Sequence, residues 1–132
     1  MPRIAFDDAA LVEFMSTYHL ATVTTLRPDG TPHVVPVGVT YDAPTRTARV
    51  ITNQGSVKVR NVEASEGPAR IAFGHIDGAH WLTLEGVARV TRDPDEIADA
   101  VRRYAQRYRQ PRENPDRVAI VVEVDRIMGR LP

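Results

Sequence analysis

The sequence predicts a mainly β fold with flanking helices, a small β-barrel of roughly six antiparallel strands with about three helices packed outside it. Two observations carry this. Runs rich in Val, Ile and Thr alternate with tight Gly- and Pro-containing turns, the pattern of antiparallel hairpins. The chain has 132 residues, enough for one core, and curling a small sheet into a barrel hides its edges. Residues 1–132 are therefore expected to form one domain.

The elements follow in order. Asp7 to His19 reads as a helix capped by Asp7, with Leu11, Phe14 and Met15 on one apolar face. Leu20 to Arg27 and Pro32 to Tyr41 read as two strands of a hairpin around Pro28-Asp29-Gly30-Thr31. Pro36 removes a ladder donor, which predicts an edge, a bulge or a close approach to the backbone there. After the turn Asp42-Ala43-Pro44-Thr45, a third strand runs from Thr47 to Thr52. Ser56 caps a short helix to Ser65, and Ala69 to Ile76 and His80 to Thr91 form the next hairpin. Glu85-Gly86 inside the second of these strands predicts a bulge or a close backbone approach. Asp93, Pro94 and Glu96 open the third helix with a capping-box pattern, and Ile97, Val101, Tyr104 and Tyr108 share one face. A Pro-containing loop from Gln110 to Asp116 leads to a last strand, Val118 to Ile127, apolar enough at its start to be buried on both faces.

Composition narrows the chemistry. Hydrophobic residues make up 42% and charged residues 26%, a globular balance. Lys+Arg and Asp+Glu are 17 each, so no overall basic field favours nucleic acid. The absence of cysteine excludes disulfides, thiolate metal sites and a thiol nucleophile. The histidines lack zinc-ligand spacing, so no metal is expected. No apolar run approaches the ~20 residues that cross a bilayer, and Met1-Pro2-Arg3-Ile4 lacks a signal-peptide core; the expected location is the cytoplasm.

Lys58 is the only lysine among the 17 basic residues, and it stands in the most informative segment. There a strand ends in the polar loop Asn53-Gln54-Gly55-Ser56 and a helix begins. A helix N-terminus offers unpaired N–H groups, to which Thr52 and Ser56 add hydroxyls and Lys58 and Arg60 add charge. An anion such as phosphate fits this pattern; so does an ordinary capped helix with solvated charges. Trp81, the only tryptophan, follows the Asp77-Gly78-Ala79 turn and reads either as core or as the rim of a site. Arg102, Arg103, Arg107, Arg109 and Arg112 read either as cations at a helix C-terminus or as a patch for a polyanionic tail.

Four stretches carry a resemblance: HLATVTTLRPDGTPHVVPVGVTYD (19–42), ARVITNQGSVKVRNV (48–62), DGAHWLTLEG (77–86) and RRYAQRYRQPRENPDRVAI (102–120). Together they resemble the flavin/deazaflavin oxidoreductases of the split β-barrel, pyridoxamine-5'-phosphate-oxidase-like superfamily. Within it, the chain is most similar to the F420-dependent biliverdin reductase branch. The resemblance implies a homodimer of split barrels with two cofactors in clefts between subunits. It implies that the cofactor's phosphate and tail lie near Arg49, Thr52, Ser56, Lys58 and Asn61. The ring would lie against His33, Val34, Pro36 and Val37, and against Val50 and Ile51. The partner subunit would contribute Asp77, Gly78, Ala79 and Trp81.

The implied cofactor is coenzyme F420, with FMN as the alternative. The implied reaction is hydride transfer from reduced F420 to a small-molecule acceptor, a tetrapyrrole such as biliverdin, giving bilirubin. A carrier that binds F420 without turnover is the non-catalytic alternative. The reduction also needs a proton, which solvent or an arginine-held water could deliver; no side chain stands out as a general acid, which fits a positioning enzyme and a non-enzyme equally well.

Overall fold

The computed structural model describes residues 3–132. Met1 and Pro2, part of the segment expected to lack a leader, lie outside the described residues. Helix α1 spans Ala9–Ser16. Its cap is Asp8, not Asp7: Asp8 Oδ1 accepts the Leu11 N–H at 3.1 Å. The apolar face is the expected one, with Leu11, Phe14 and Met15 buried. The helix stops three residues before His19, because Thr17 turns to extended backbone (φ −102°, ψ 145°) to feed β1.

Strands β1 (Ala21–Leu26) and β2 (Pro32–Val37) pair from Ala21↔Val37 to Leu26↔Pro32. Asp29 closes their turn by accepting both the N–H and the hydroxyl of Thr31, at 3.0 and 2.6 Å. The long return strand expected from Pro32 to Tyr41 is broken. β2 ends at Val37, β3 covers only Thr40–Asp42, and Gly38-Val39 forms a joint between them. The remaining strands are β4 (Thr47–Asn53), β5 (Ala69–Asp77), β6 (His80–Thr91) and β7 (Arg117–Arg130), with α2 (Val57–Ala64) after β4 and α3 (Pro94–Arg107) after β6.

All seven strands form one sheet in the order β2-β1-β5-β6-β7-β4-β3. β2 and β3 are its opposite edges, yet only two residues separate them in the chain. The sheet must therefore curl until its edges nearly meet, and the Gly38-Val39 joint spans the gap. This is a barrel with one split side. Pro36 sits on the edge strand β2, where a missing donor costs no ladder bond.

The expected bulge is present. Glu85 pairs with Arg126 and Gly86 with Val124, which leaves Asp125 as the extra residue. A Cβ at Gly86 would overlap the Glu123 carbonyl oxygen, so the bulge requires glycine. Asp125 is turned outward and pairs with Arg70, whose Nη2 lies 3.0 Å from its Oδ1. The capping box of α3 is only half formed. Asp93 accepts the Glu96 N–H at 3.0 Å, but the Glu96 carboxylate binds Arg89 and Thr91, and the Asp93 N–H donates to Thr91 Oγ1. These contacts hold Glu96 down to a pKa of about 2, through hydrogen bonds from Arg89 and then Thr91.

β7 is longer than its apolar run. It is buried on both faces over 118–120, where it lies between β6 and β4 beneath α3, alternates from Val121 to Asp125, and is buried again over 127–129. The core fills the barrel with Phe73, Leu82, Leu84, Ile120 and Val122, all fully buried.

Candidate functional site

The chain ends of several strands meet at one cleft of about 310 Å³. Its apolar side comes from Pro36, Val37 and Gly38 at the end of β2 and from Ile51 near the end of β4. Its polar side comes from Thr52, Asn53 and the first turn of α2, where Lys58 faces in. Tyr104 of α3 and Pro111, Asn114 and Arg117 of the following loop and strand close it.

The α2 end is built as its sequence requires. Ser56 accepts the Val59 N–H at 3.4 Å, and the Thr52 hydroxyl donates to Ser56 Oγ at 3.3 Å. The N–H groups of Val57 and Lys58 have no carbonyl within the helix to bond. Burial pushes the Lys58 ammonium below the usual lysine range, and no carboxylate offsets it among the described residues. Arg117 donates to the Arg112 carbonyl at 2.7 Å. The lining thus holds two cations and no acid. A half-buried ammonium without a counter-ion is a cost of folding that a bound anion removes.

Five of the residues singled out in the sequence line this cleft: Pro36, Val37, Ile51, Thr52 and Lys58. Ser56 is one hydrogen bond behind them. His33 lies farther along β2 opposite Thr25, with a buried Nδ1 that has no partner among the described residues. Val34 points outward, 54% exposed. Arg49 is two residues before Ile51 and lies under α3, its Nε 3.7 Å from Asp99 Oδ2. Its pKa is pushed down by burial and then by Arg103. Val50 faces the barrel core and can meet a ligand only through its backbone. Asn61 is buried and donates to Thr25 Oγ1 at 3.0 Å, which ties α2 to β1.

Asp77, Gly78, Ala79 and Trp81 are at the β5–β6 turn and do not line this cleft. Asp77 Oδ2 instead lies 3.1 Å from His19 Nε2, and that imidazole stacks on Phe14 at 4.0 Å.

The sequence reading missed the second half of the lining. Tyr104, Pro111, Asn114 and Arg117 all fall in the 102–120 run that carried the resemblance, but spacing alone gives no sign that this run folds back onto β4. It does so through two stitches: the Gln54 N–H donates to the Asp116 carbonyl at 2.9 Å, and Asn114 Nδ2 donates to Asn53 Oδ1. The arginine cluster is also divided. Arg102 and Arg103 pair with Asp99, whereas Arg107 is buried and bonded to backbone carbonyls.

Comparison with known proteins agrees with this architecture. Residues 7–130 match the family model described as pyridoxamine 5'-phosphate oxidase. The chain is 51% identical over 123 residues to the F420H(2)-dependent biliverdin reductase of Mycobacterium tuberculosis (strain CDC 1551 / Oshkosh), covering 93% of this chain and 86% of that one. Among solved structures, it superposes on an F420 reductase with a TM-score of 0.70 and 26% identity, over 88% of this chain and 94% of the other. A conserved hypothetical protein of Mycobacterium tuberculosis shares the fold at a TM-score of 0.80 and 21% identity, over 99% and 89% of the two chains. With the split barrel, the cleft at its open side and the match across nearly the whole length, this chain belongs to the pyridoxamine 5'-phosphate oxidase family.

Proposed function

We propose that this protein is an F420-dependent oxidoreductase that reduces a tetrapyrrole, with biliverdin converted to bilirubin. The observation that carries the reading is Lys58, half-buried in the cleft at the start of α2 and, among the described residues, without a carboxylate partner. The similarity to an F420H(2)-dependent biliverdin reductase supports the choice of cofactor and acceptor.

The residues present fit such a cofactor. Lys58, the first N–H groups of α2 and the Thr52 hydroxyl would hold its phosphate, with Arg117 beside them. Pro36, Val37 and Ile51 would give the ring an apolar wall. When bound and reduced, the cofactor supplies a hydride to an acceptor carbon. The chain's contribution is then to bind, orient and exclude water, the work of a positioning enzyme.

A homodimer completes this reading. Val34, Thr24 and Ala72 are in register, as are Pro36, Thr22 and Gly74, on the outer face of β2, β1 and β5. Ile76 extends the same face at 84% exposure. A small-residue, uncharged sheet face of this kind suits a second copy, and a second copy could bring Asp77, Gly78, Ala79 and Trp81 to the cleft. We read residues 1–132 as one cofactor-binding domain working in the cytoplasm; among the described residues no helix is long and apolar enough to cross a membrane.

The test is a titration of F420 against FMN, followed by biliverdin turnover. Lys58→Ala is expected to weaken F420 binding by about 1–3 kcal/mol, a factor of roughly 5–150. Unchanged affinity would remove Lys58 from the site. Retention of yellow FMN through purification, with no F420 binding, would replace the cofactor assignment.

A further inference from the structure

The joint between β2 and β3 has no strand partner, so its backbone must be satisfied by something else. Two side chains at the end of α3 do this. The Val39 N–H donates to the Tyr108 hydroxyl at 3.1 Å, and the Val39 carbonyl accepts from Arg107 Nη1 at 2.6 Å. The same two side chains bind the connector between α1 and β1. Tyr108 Oη donates to the His19 carbonyl at 2.7 Å, Arg107 Nε to the Thr17 carbonyl at 2.9 Å, and Arg107 Nη2 to the Phe14 carbonyl at 3.3 Å.

Arg107 is only 6% exposed and, among the described residues, has no carboxylate partner. Carbonyl dipoles, including those at the C-terminal end of α1, take the place of a counter-ion. A buried charge spent on three carbonyls fixes a geometry: each nitrogen of the planar fork donates to its own carbonyl, and one ammonium could not serve all three directions.

What this knot fixes is part of the cleft wall. Gly38 lies so close to α3 that a Cβ there would stand 2.8 Å from ring carbons of both Tyr104 and Tyr108. The two rings are themselves in contact, with centroids 4.9 Å apart. Gly38 and Tyr104 both line the cleft. We infer that Arg107 and Tyr108 are positioning residues, which touch no ligand but set the separation of Gly38 and Tyr104 across the wall where the cofactor ring would enter. The inference rests on the assignment of this cleft to F420.

The decisive variant is Tyr108→Phe, which removes one oxygen and leaves the ring packed on Gly38 and Tyr104. Its control is Val124→Ala, a cavity in the β7 core that destabilises the fold without reaching the joint. Amide hydrogen exchange on the protein without cofactor is expected to rise by about tenfold or more at Gly38 and Val39 in Tyr108→Phe, and to stay near wild type there in Val124→Ala after allowance for global stability. The F420 dissociation constant is expected to rise by roughly 5–20-fold in Tyr108→Phe and to change less than about twofold in Val124→Ala. Arg107→Lys should behave as Tyr108→Phe does.

Equal exchange at the joint in wild type and Tyr108→Phe would overturn the inference. So would faster exchange with unchanged F420 affinity. If wild type itself does not bind F420, the functional assignment and the positioning role in F420 binding fall together; the exchange measurement still shows whether the knot holds the joint.

Discussion

His75 makes the fold sensitive to mild acid by a calculable amount. The side chain is 1% exposed, on β5, with Nε2 3.5 Å from Arg107 Nη1 and its ring edge-on to Phe14 at 5.5 Å. An arginine can only donate, so the histidine accepts at Nε2 and stays neutral. Burial first, and then the Arg107 charge, lower its pKa from 6.5 to about 3. The unfolded chain gains a proton on this residue below pH 6.5 while the folded chain does not, so stability falls as pH drops from 6.5 toward 3. Each pH unit inside that window costs about 1.4 kcal/mol, or about 2 kcal/mol at pH 5 relative to pH 7.5. Urea unfolding between pH 7.5 and pH 5 measures this before carboxylates with lowered values, such as Glu96, begin to protonate. His75→Gln removes the titration and is expected to flatten the curve by about 2 kcal/mol over the range, whatever its effect on stability at neutral pH. Parallel curves for the two proteins would show that His75 is not held neutral, and would refute the account of its contact with Arg107.

Two further outcomes follow from packing. Gly86→Ala drives a methyl into the Glu123 carbonyl at the β6–β7 bulge, and is expected to cost about 3 kcal/mol, roughly 10 °C in melting temperature; a melt within a few degrees of wild type would mean the bulge relocates. Ile76→Glu places a carboxylate on the outer sheet face and is expected to give monomers by light scattering with secondary structure intact; a persistent dimer would move the interface to another face.

The fold was legible where local rules dominate. Hairpin turns, the cap at Ser56, the cap at Asp93 and the Glu85-Gly86 bulge all follow from residues adjacent in the chain. The misreadings share a different cause. The Pro32 to Tyr41 run has the composition of one strand, and nothing within it shows that Val39 will bond to a tyrosine and an arginine 69 and 68 residues later. Arg107 looks like its neighbours Arg102 and Arg103 in composition, and only the tertiary fold separates a buried clamp from an exposed ion pair. Lys58 stood out because it is the only lysine and follows a helix cap, but its lack of a carboxylate partner among the described residues is a property of the folded chain.

The cleft exists because the sheet does not close by hydrogen bonds. Had β2 and β3 been one uninterrupted strand paired on both sides, the barrel would be sealed and the ends of β4 and β7 would face only core. The glycine at position 38 lets the chain pass close to α3, and the knot of Arg107 and Tyr108 stabilises a backbone that no ladder supports. An apolar edge on one side and a capped helix with a lone ammonium on the other are thereby held a fixed distance apart. Activity in such a site depends on that distance more than on the acidity of any one side chain. Substitutions at the split are therefore expected to alter cofactor affinity more strongly than substitutions of equal cost to stability elsewhere in the barrel.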